Sequence, residues 1–155
     1  MRHEDFMREA IRISRQNMEK GGGPFGAVLV KDGKIIARSG NAVTLENDPT
    51  AHAEINAIRE ACSNLGDFDL SGCVLYSSCE PCPMCLGAIY WARIDKIYFA
   101  ADRDDAAHAG FDDSFIYREI QKPVDQRTIP ARQELRAEAV KTFEQWIAKE
   151  DKIQY

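Results

Sequence analysis

Two cysteines three residues apart, Cys82 and Cys85, follow an apolar strand pattern and open an apolar helical run. A Cys-x-x-Cys pair brings two sulfurs onto one turn of a helix, close enough to bind one metal ion. Pro83 suits the first turn, where its missing N–H costs nothing, so Cys82 is predicted to be the helix N-cap. The free N–H groups and the positive dipole end at that position favour thiolates over thiols.

A second helix start is predicted upstream, in Thr50-Ala51-His52-Ala53-Glu54, with Thr50 as its N-cap. Side chains at i and i+2 diverge in the body of a helix. In the first turn, however, the Cα–Cβ bonds tilt toward the N-terminus, so His52 and Glu54 can converge just beyond the helix end. We predict that His52, Cys82 and Cys85 bind one Zn²⁺ and that Glu54 transfers protons beside it.

The types of these residues indicate a particular chemistry. Zinc favours thiolate and imidazole ligands, and three protein ligands leave its fourth position for water, which distinguishes catalytic from structural zinc. Zinc lowers the pKa of its bound water to about 7. The combination H-x-E and P-C-x-x-C, present here as His52-Ala53-Glu54 and Pro81-Cys82-Pro83-Met84-Cys85, is the signature of zinc deaminases, in which the Glu is the general acid and base.

Other readings of the cysteines remain open. Cys73 and Cys79 could join Cys82 and Cys85 in a structural four-thiolate site, which would leave the His-Ala-Glu motif unexplained. A Cys-x-x-Cys pair can also carry out redox chemistry. Cys62, Cys73 and Cys79 are better explained as small buried residues than as metal ligands.

Composition narrows the class of protein. A chain of 155 residues with 45% apolar and 29% charged residues is typical of one globular domain. No apolar run approaches the roughly 18 residues of a membrane span. Five cysteines, three of them clustered, favour a metal site in a reducing compartment over a disulfide framework, so we expect a cytoplasmic protein. The net charge of −5 argues against a nucleic-acid partner, although a local basic patch could still bind one.

The rest of the pattern predicts alternating helices and strands in one α/β domain, residues 1–155. Helices are predicted at 4–20, 51–64, 83–92 and 139–150, with short helical segments in 104–121; strands are predicted at 27–30, 34–38, 73–77 and 96–100, with 128–136 left open as a last strand. Asp32-Gly33 is a hairpin signal. The strands at 73–77 and 96–100 flank a helix and should therefore pair in parallel, with a site beyond their carboxyl ends.

With these motifs in place, the chain resembles the cytidine deaminase-like superfamily of zinc deaminases, and within it the bacterial guanine deaminases. The resemblance runs over nearly the whole chain. Besides the zinc motifs, it rests on Gly23-Pro24-Phe25-Gly26-Ala27, Asn47-Asp48-Pro49-Thr50, Gly87-Ala88-Ile89-Tyr90-Trp91-Ala92 and Gly110-Phe111-Asp112-Asp113-Ser114-Phe115-Ile116-Tyr117. It implies a three-layer α/β/α sandwich around a mixed five-stranded sheet. It also implies a homodimer in which the C-terminal segment swaps onto its neighbour, with Tyr155 closing the neighbour's pocket.

The same resemblance implies a purine-base substrate. Asn41 and Asp113 would contact the base and Phe25 would pack on its ring. A carboxylate can accept the N1–H donor that guanine has and adenine lacks, which is an effective basis for discrimination. Alternatives stay open: Asn41 as a loop cap, Phe25 as a core residue, Asp113 as a helix cap and Tyr155 as a disordered end.

The implied reaction is the hydrolysis of guanine to xanthine and ammonia. Zinc-activated water would add to C2, and Glu54 would deliver a proton to N3 and later to the departing amine. One rival function is deamination of another substrate, namely cytosine, a nucleoside such as guanosine or cytidine, or adenosine in tRNA. A rival from a different class is a non-catalytic zinc module with four protein ligands.

Overall fold

The structure, a computed structural model, describes residues 2–155, which divide into two compact units. The first unit ends at Asp113 and the second is Ser114–Tyr155. The elements of the first unit are α1 (His3–Glu19), β1 (Gly23–Lys31), β2 (Lys34–Asn41), α2 (Val43–Glu46), α3 (Ala53–Leu65), β3 (Cys73–Cys79), α4 (Pro83–Trp91), β4 (Lys96–Ala101) and α5 (Arg103–His108). The predicted helices and strands of this unit are present, together with the short helix α2, which was not predicted.

One mixed sheet is the centre of the first unit, with strand order β2-β1-β3-β4. β1 pairs antiparallel with β2, through the predicted turn at Asp32-Gly33, and with β3. β3 and β4 pair in parallel, as predicted. The expected fifth strand is wrong for the described residues, whose sheet has four strands. Residues 128–136 form none, because Pro130 lacks the N–H donor that a ladder needs and Leu135 has a left-handed φ of 51°.

Helices cover both faces of this sheet, so the predicted α/β/α layering is confirmed. On one face α1 packs against β1 and β3, in a cluster of Phe6, Ala10, Val28, Val30 and Tyr76. On the other face α3 and α4 pack in a cluster that includes Ala53, Ala57, Ala61, Ile89, Leu29 and Leu75. The alanines of α3 let its axis approach the sheet closely, which brings the start of α3 near the end of β3.

The two ends of α3 have different backbone conformations. Gly66 ends the helix in the left-handed conformation, with φ of 64°. The prediction of Thr50 as N-cap is wrong, because His52 has that place. The N–H and hydroxyl of Thr50 donate instead to Oδ1 of Asp48, at 2.8 and 2.7 Å, in a local turn.

The second unit contains α6 (Ser114–Gln121), a 3₁₀ turn at Val124–Gln126 and α7 (Arg136–Ala148). Glu119 joins α6 to the segment that follows, since its carboxylate accepts a hydrogen bond from the N–H of Thr128 at 2.9 Å. On α7, the side chains of Phe143 and Ile147 are exposed in this chain. Among the described helices, none combines the length and the apolar character that crossing a membrane requires.

Candidate active site

Two helix N-termini meet at the candidate site. His52 is the N-cap of α3, and Cys82 is the N-cap of α4 with Pro83 in the first turn. Both N-caps have extended backbone, which turns the chain sharply into each helix. β3 ends at Cys79 and leads directly to α4. The starts of both helices therefore meet at one location, next to the carboxyl end of β3.

The three predicted metal ligands lie together. The donor atoms of His52, Cys82 and Cys85 all lie within 4.8 Å of one another, and Nδ1 of His52 is 3.5 Å from each sulfur. A tetrahedral zinc site with ordinary bond lengths separates sulfur and nitrogen ligands by about 3.6 Å. The donor set and its spacing thus fit one Zn²⁺.

The protonation of these groups also suits a metal. A hydrogen bond from the Cys85 thiol, reinforced by one from His52, lowers the pKa of Cys82 to about 4. The pKa of Cys85 is raised, first by the same hydrogen bond to Cys82 and then by burial. The hydrogen bond between the two cysteines thus favours a thiolate at Cys82 and a thiol at Cys85, whose proton a bound cation would displace.

Glu54, in the first turn of α3, is buried, with 6% of its surface exposed. Burial raises the pKa of this carboxyl above its usual range, and a hydrogen bond with Cys85 opposes the shift. Ser77 on β3 donates a hydrogen bond to Oε1 of Glu54 at 3.2 Å. A carboxyl with a raised pKa beside a metal-type donor set is suited to exchanging protons near neutral pH.

The two further cysteines of the alternative four-thiolate site, Cys73 and Cys79, are not part of this donor group. Cys79 donates a weak hydrogen bond to the carbonyl of Asp102 at 3.8 Å, and burial raises the pKa of its thiol to about 11. Cys73 is buried in the apolar core. Among residues 2–155, the group with metal-ligand spacing consists of His52, Cys82 and Cys85 alone, so a structural site with four thiolates is not supported.

The structure places the predicted substrate residues as follows. Asn41, at the end of β2, is 8% exposed, and its Oδ1 accepts the N–H of Val43 at 3.1 Å. Phe25 is half-buried, and its ring meets that of Phe111 edge-on, with centroids 4.9 Å apart. Asp113 is half-buried and contributes to the raised pKa of Cys79. Tyr155 belongs to the second unit and is 75% exposed.

Three polar residues around the site were missed by sequence reasoning. Ser77 contacts Glu54, whereas Asn17 and Asn56 hydrogen-bond to backbone near Asn41. Ser77 carries a detectable signal, because it is a polar residue at an inward position of an apolar strand. The two asparagines carry no such signal, since each looks like an ordinary polar residue of an amphipathic helix.

Comparison with known proteins agrees with this geometry. Residues 1–101 match the family described as the cytidine and deoxycytidylate deaminase zinc-binding region. The guanine deaminase of Bacillus subtilis is 57% identical over 94% of each chain. The X-ray structure of guanine deaminase from that organism superposes with a TM-score of 0.97 at 55% identity, covering 100% of this chain and 99% of that one.

Two less similar proteins are a tRNA deaminase and a chain solved with a purine analogue bound. The tRNA-specific adenosine deaminase of Aquifex aeolicus is 46% identical over 71% of this chain and 72% of its own. A solved chain in complex with 8-azaguanine is 37% identical with a TM-score of 0.68, covering 70% of this chain and 63% of that one.

Proposed function

We propose that this chain, which belongs to the cytidine and deoxycytidylate deaminase family, hydrolyses guanine to xanthine and ammonia. The observation that best supports deaminase activity is the group of His52, Cys82 and Cys85 beside the buried Glu54. Guanine is supported by the likeness to the Bacillus subtilis enzyme, which extends over 94% of the chain, whereas the Aquifex aeolicus tRNA deaminase matches 71%.

The protein's own residues have distinct parts in this reaction. His52, Cys82 and Cys85 would hold Zn²⁺, which when bound supplies a Lewis acid that lowers the pKa of water. Glu54 accepts a proton from the water that adds to C2 of guanine and delivers it to N3. Glu54 then takes the proton of the new C2 hydroxyl and gives it to the amine as the C2–N bond breaks, so guanine and water become xanthine and ammonia. Ser77 holds Oε1 of Glu54 during these transfers.

Recognition of the base is assigned to Asn41, Asp113 and Phe25. The Oδ1 of Asn41 is engaged by the N–H of Val43, while its Nδ2 has no protein acceptor within residues 2–155 and is available to an acceptor on the purine. The carboxylate of Asp113 would accept N1–H, and the Phe25 ring would pack on the base. A carboxylate acceptor disfavours adenine, whose N1 has no hydrogen to donate.

Ammonia release from a panel of substrates tests this function. The panel contains guanine, guanosine, adenine, cytosine, cytidine and 2,6-diaminopurine, each incubated with the zinc-loaded chain and with the Glu54→Gln variant. We expect guanine to be the best substrate and the variant to be nearly inactive. Preferred turnover of a nucleoside would overturn the choice of substrate, and equal turnover by the variant would overturn the role of Glu54.

Deamination of adenosine in tRNA is the second candidate, favoured by the 46% identity to the Aquifex aeolicus enzyme. The net charge of −5 argues against it, because RNA affinity depends on neutralising phosphates. A complex with tRNA that weakens steeply as salt rises, together with inosine formation, would establish this function in place of the first.

We also propose that residues 1–155 act as one deaminase domain in a homodimer whose C-terminal segments are exchanged, with Tyr155 closing the partner's pocket. Exposed apolar side chains in the second unit support this, since a partner would cover them; they include Ile129, Leu135, Phe143, Ile147 and Ile153. Mass measurement by light scattering tests the dimer.

Five free cysteines among the described residues support a reducing, cytoplasmic location.

Complementation between two inactive variants tests the exchange. A Glu54→Gln chain co-expressed with a chain lacking Tyr155 forms hybrid dimers. If Tyr155 acts on the partner, one pocket of each hybrid combines an intact Glu54 with an intact Tyr155 and activity returns. If Tyr155 acts within its own chain, both pockets stay defective and no activity returns.

A further inference from the structure

We propose that Asn17 and Asn56 are positioning residues that fix Asn41 relative to the metal-binding end of α3. This inference rests on the proposed function only in assigning substrate contact to Asn41. The contacts themselves are made between side-chain amides and backbone carbonyls inside the first unit. Neither asparagine belongs to the donor set of the candidate metal site.

Asn17 holds Asn41 from the side of α1. Its Nδ2 donates to the carbonyl oxygens of Gly23 and Asn41, each at 2.7 Å. Gly23 and Asn41 are partners at the end of the β1–β2 ladder. The Asn17 amide therefore binds β1 and β2 together at the Gly23–Asn41 pair, which lies beyond the regular part of the ladder.

The surrounding glycines make room for that clamp. A Cβ on Gly22 or Gly40 would overlap the Asn17 side chain. The turn after α1, which contains Gly22, and the end of β2, which contains Gly40, thus both close around the Asn17 amide group and leave it little space to adopt another position. A half-buried polar group with its donors satisfied at short distances is expected to be rigid.

Asn56 holds the same strand end from the side of α3. Its Nδ2 donates to the carbonyls of Gly40 at 3.0 Å and Ala51 at 3.2 Å. Ala51 precedes His52, and its carbonyl also accepts the N–H of Ala42 at 2.9 Å. Asn56 therefore ties the residue before Asn41 to the residue before a metal ligand, which sets the distance between base recognition and the reacting centre.

A matched control exists on the same helix. Asn64 lies two turns after Asn56 on α3 and donates to the carbonyl of Ile36, also on β2, at 3.1 Å. It makes the same kind of bond between the same two elements, far along the strand from Asn41. A purely structural role for such amides predicts equal effects at both positions, whereas positioning predicts an effect at Asn56 alone.

The test compares Asn17→Ala, Asn56→Ala and Asn64→Ala as zinc-loaded proteins. The readouts are kcat and KM for guanine, the Kd for 8-azaguanine by calorimetry, zinc content and Tm. Displacement of reacting groups by a fraction of an ångström costs about 10- to 100-fold. We expect kcat/KM to fall and Kd to rise by that factor in Asn17→Ala and Asn56→Ala, and Asn64→Ala to stay within about twofold of wild type.

A double-variant cycle separates positioning from general loosening. In an Asn41→Ala background, Asn17→Ala should change kcat/KM by less than about twofold, because the side chain that it positions is gone. Equal effects in both backgrounds, or Asn17→Ala and Asn56→Ala behaving like Asn64→Ala, would overturn the proposal. If Asn17→Ala does not fold, Gly40→Ala serves in its place, since its added methyl displaces the Asn17 amide.

Failure of the proposed function has a different signature. In that case the wild-type chain itself releases no ammonia from guanine. The same variants are then compared on the base of the panel that wild type does deaminate. An active wild type with unaffected Asn17 and Asn56 variants contradicts the positioning role alone.

Discussion

Ser77 on β3 and Glu54 on α3 form a buried hydrogen bond of 3.2 Å, from the serine hydroxyl to Oε1. The bond crosses from the sheet to the helix layer beside the candidate metal ligands. It leaves Oε2 of the carboxyl free of Ser77, and burial keeps the carboxyl's pKa above its usual range. A proton-transferring group needs this combination of fixed orientation and an accessible neutral form.

Glu54→Gln tests that assignment directly. The amide has nearly the same shape but cannot exchange a proton, so kcat for guanine should fall by about 10²- to 10⁴-fold. Zinc content, measured by atomic emission, should stay at the wild-type level, because Glu54 is not one of the grouped donors. Turnover within tenfold of wild type would contradict the role.

The same substitution should stabilise the metal-free protein. The folded pKa of Glu54 lies above its ordinary value of 4.5, so the folded state binds more protons than the unfolded state above that pH, and stability falls as pH rises. Glu54→Gln removes this loss of stability, because the amide does not ionise. The Tm of the metal-free variant should exceed that of metal-free wild type at pH 7.5, and the two should converge toward pH 4.5. A constant difference across this range would contradict the burial argument.

The ends of the site elements were predictable because they depend on local chemistry. Cys82 at an N-cap follows from Pro83, and the grouping of His52, Cys82 and Cys85 follows from their donor types and spacing. Thr50 failed as an N-cap for an equally local reason, since Asp48, two residues earlier, takes its hydroxyl. The sequence alone allows Thr50 to cap the helix or to bond to Asp48 in a local turn, and a prediction must compare these two arrangements.

Other features depend on contacts between residues distant in the sequence. The amide of Asn17 reaches the carbonyl of Asn41, twenty-four residues away, and backbone carbonyls leave no trace in a sequence pattern. The missing fifth strand has a similar origin. Residues 128–136 have no clear pattern of their own, and Pro130 and the left-handed Leu135 prevent a ladder.

Selective alkylation should reveal the low pKa of Cys82. In metal-free protein at pH 6, Cys82, with a pKa of about 4, is almost wholly thiolate, whereas Cys79, with a pKa of about 11, is almost wholly thiol. Thiolates are the reactive form, although a low pKa also reduces intrinsic nucleophilicity. Mass spectrometry after iodoacetamide should show Cys82 modified at least about tenfold faster.

Zinc provides the control for this experiment. Added Zn²⁺ should protect Cys82 and leave the slow rate at Cys79 unchanged, because Cys79 lies outside the grouped donors. Labelling of Cys79 that is faster than that of Cys82, or labelling of Cys82 at the same rate with and without zinc, would contradict the ligand assignment.

A last prediction concerns the contact that seats α1 on the sheet. A Cβ on Gly26 would overlap the carbonyl oxygen of Ala10 and lie 2.7 Å from the N–H nitrogen of Ser14, both of them helix backbone atoms that cannot rotate away. Gly26→Ala must therefore push α1 off β1. Such overpacking costs about 1–3 kcal/mol or more of unfolding free energy, measurable by urea denaturation. Gly87→Ala is the matched control, because no atom lies within 4 Å of its added Cβ in the helix α4. Alanine is the better helix former by about 0.5–1 kcal/mol, so this variant should be as stable as wild type or more so. Equal destabilisation by both substitutions would show that the close approach at Gly26 is not what seats the helix.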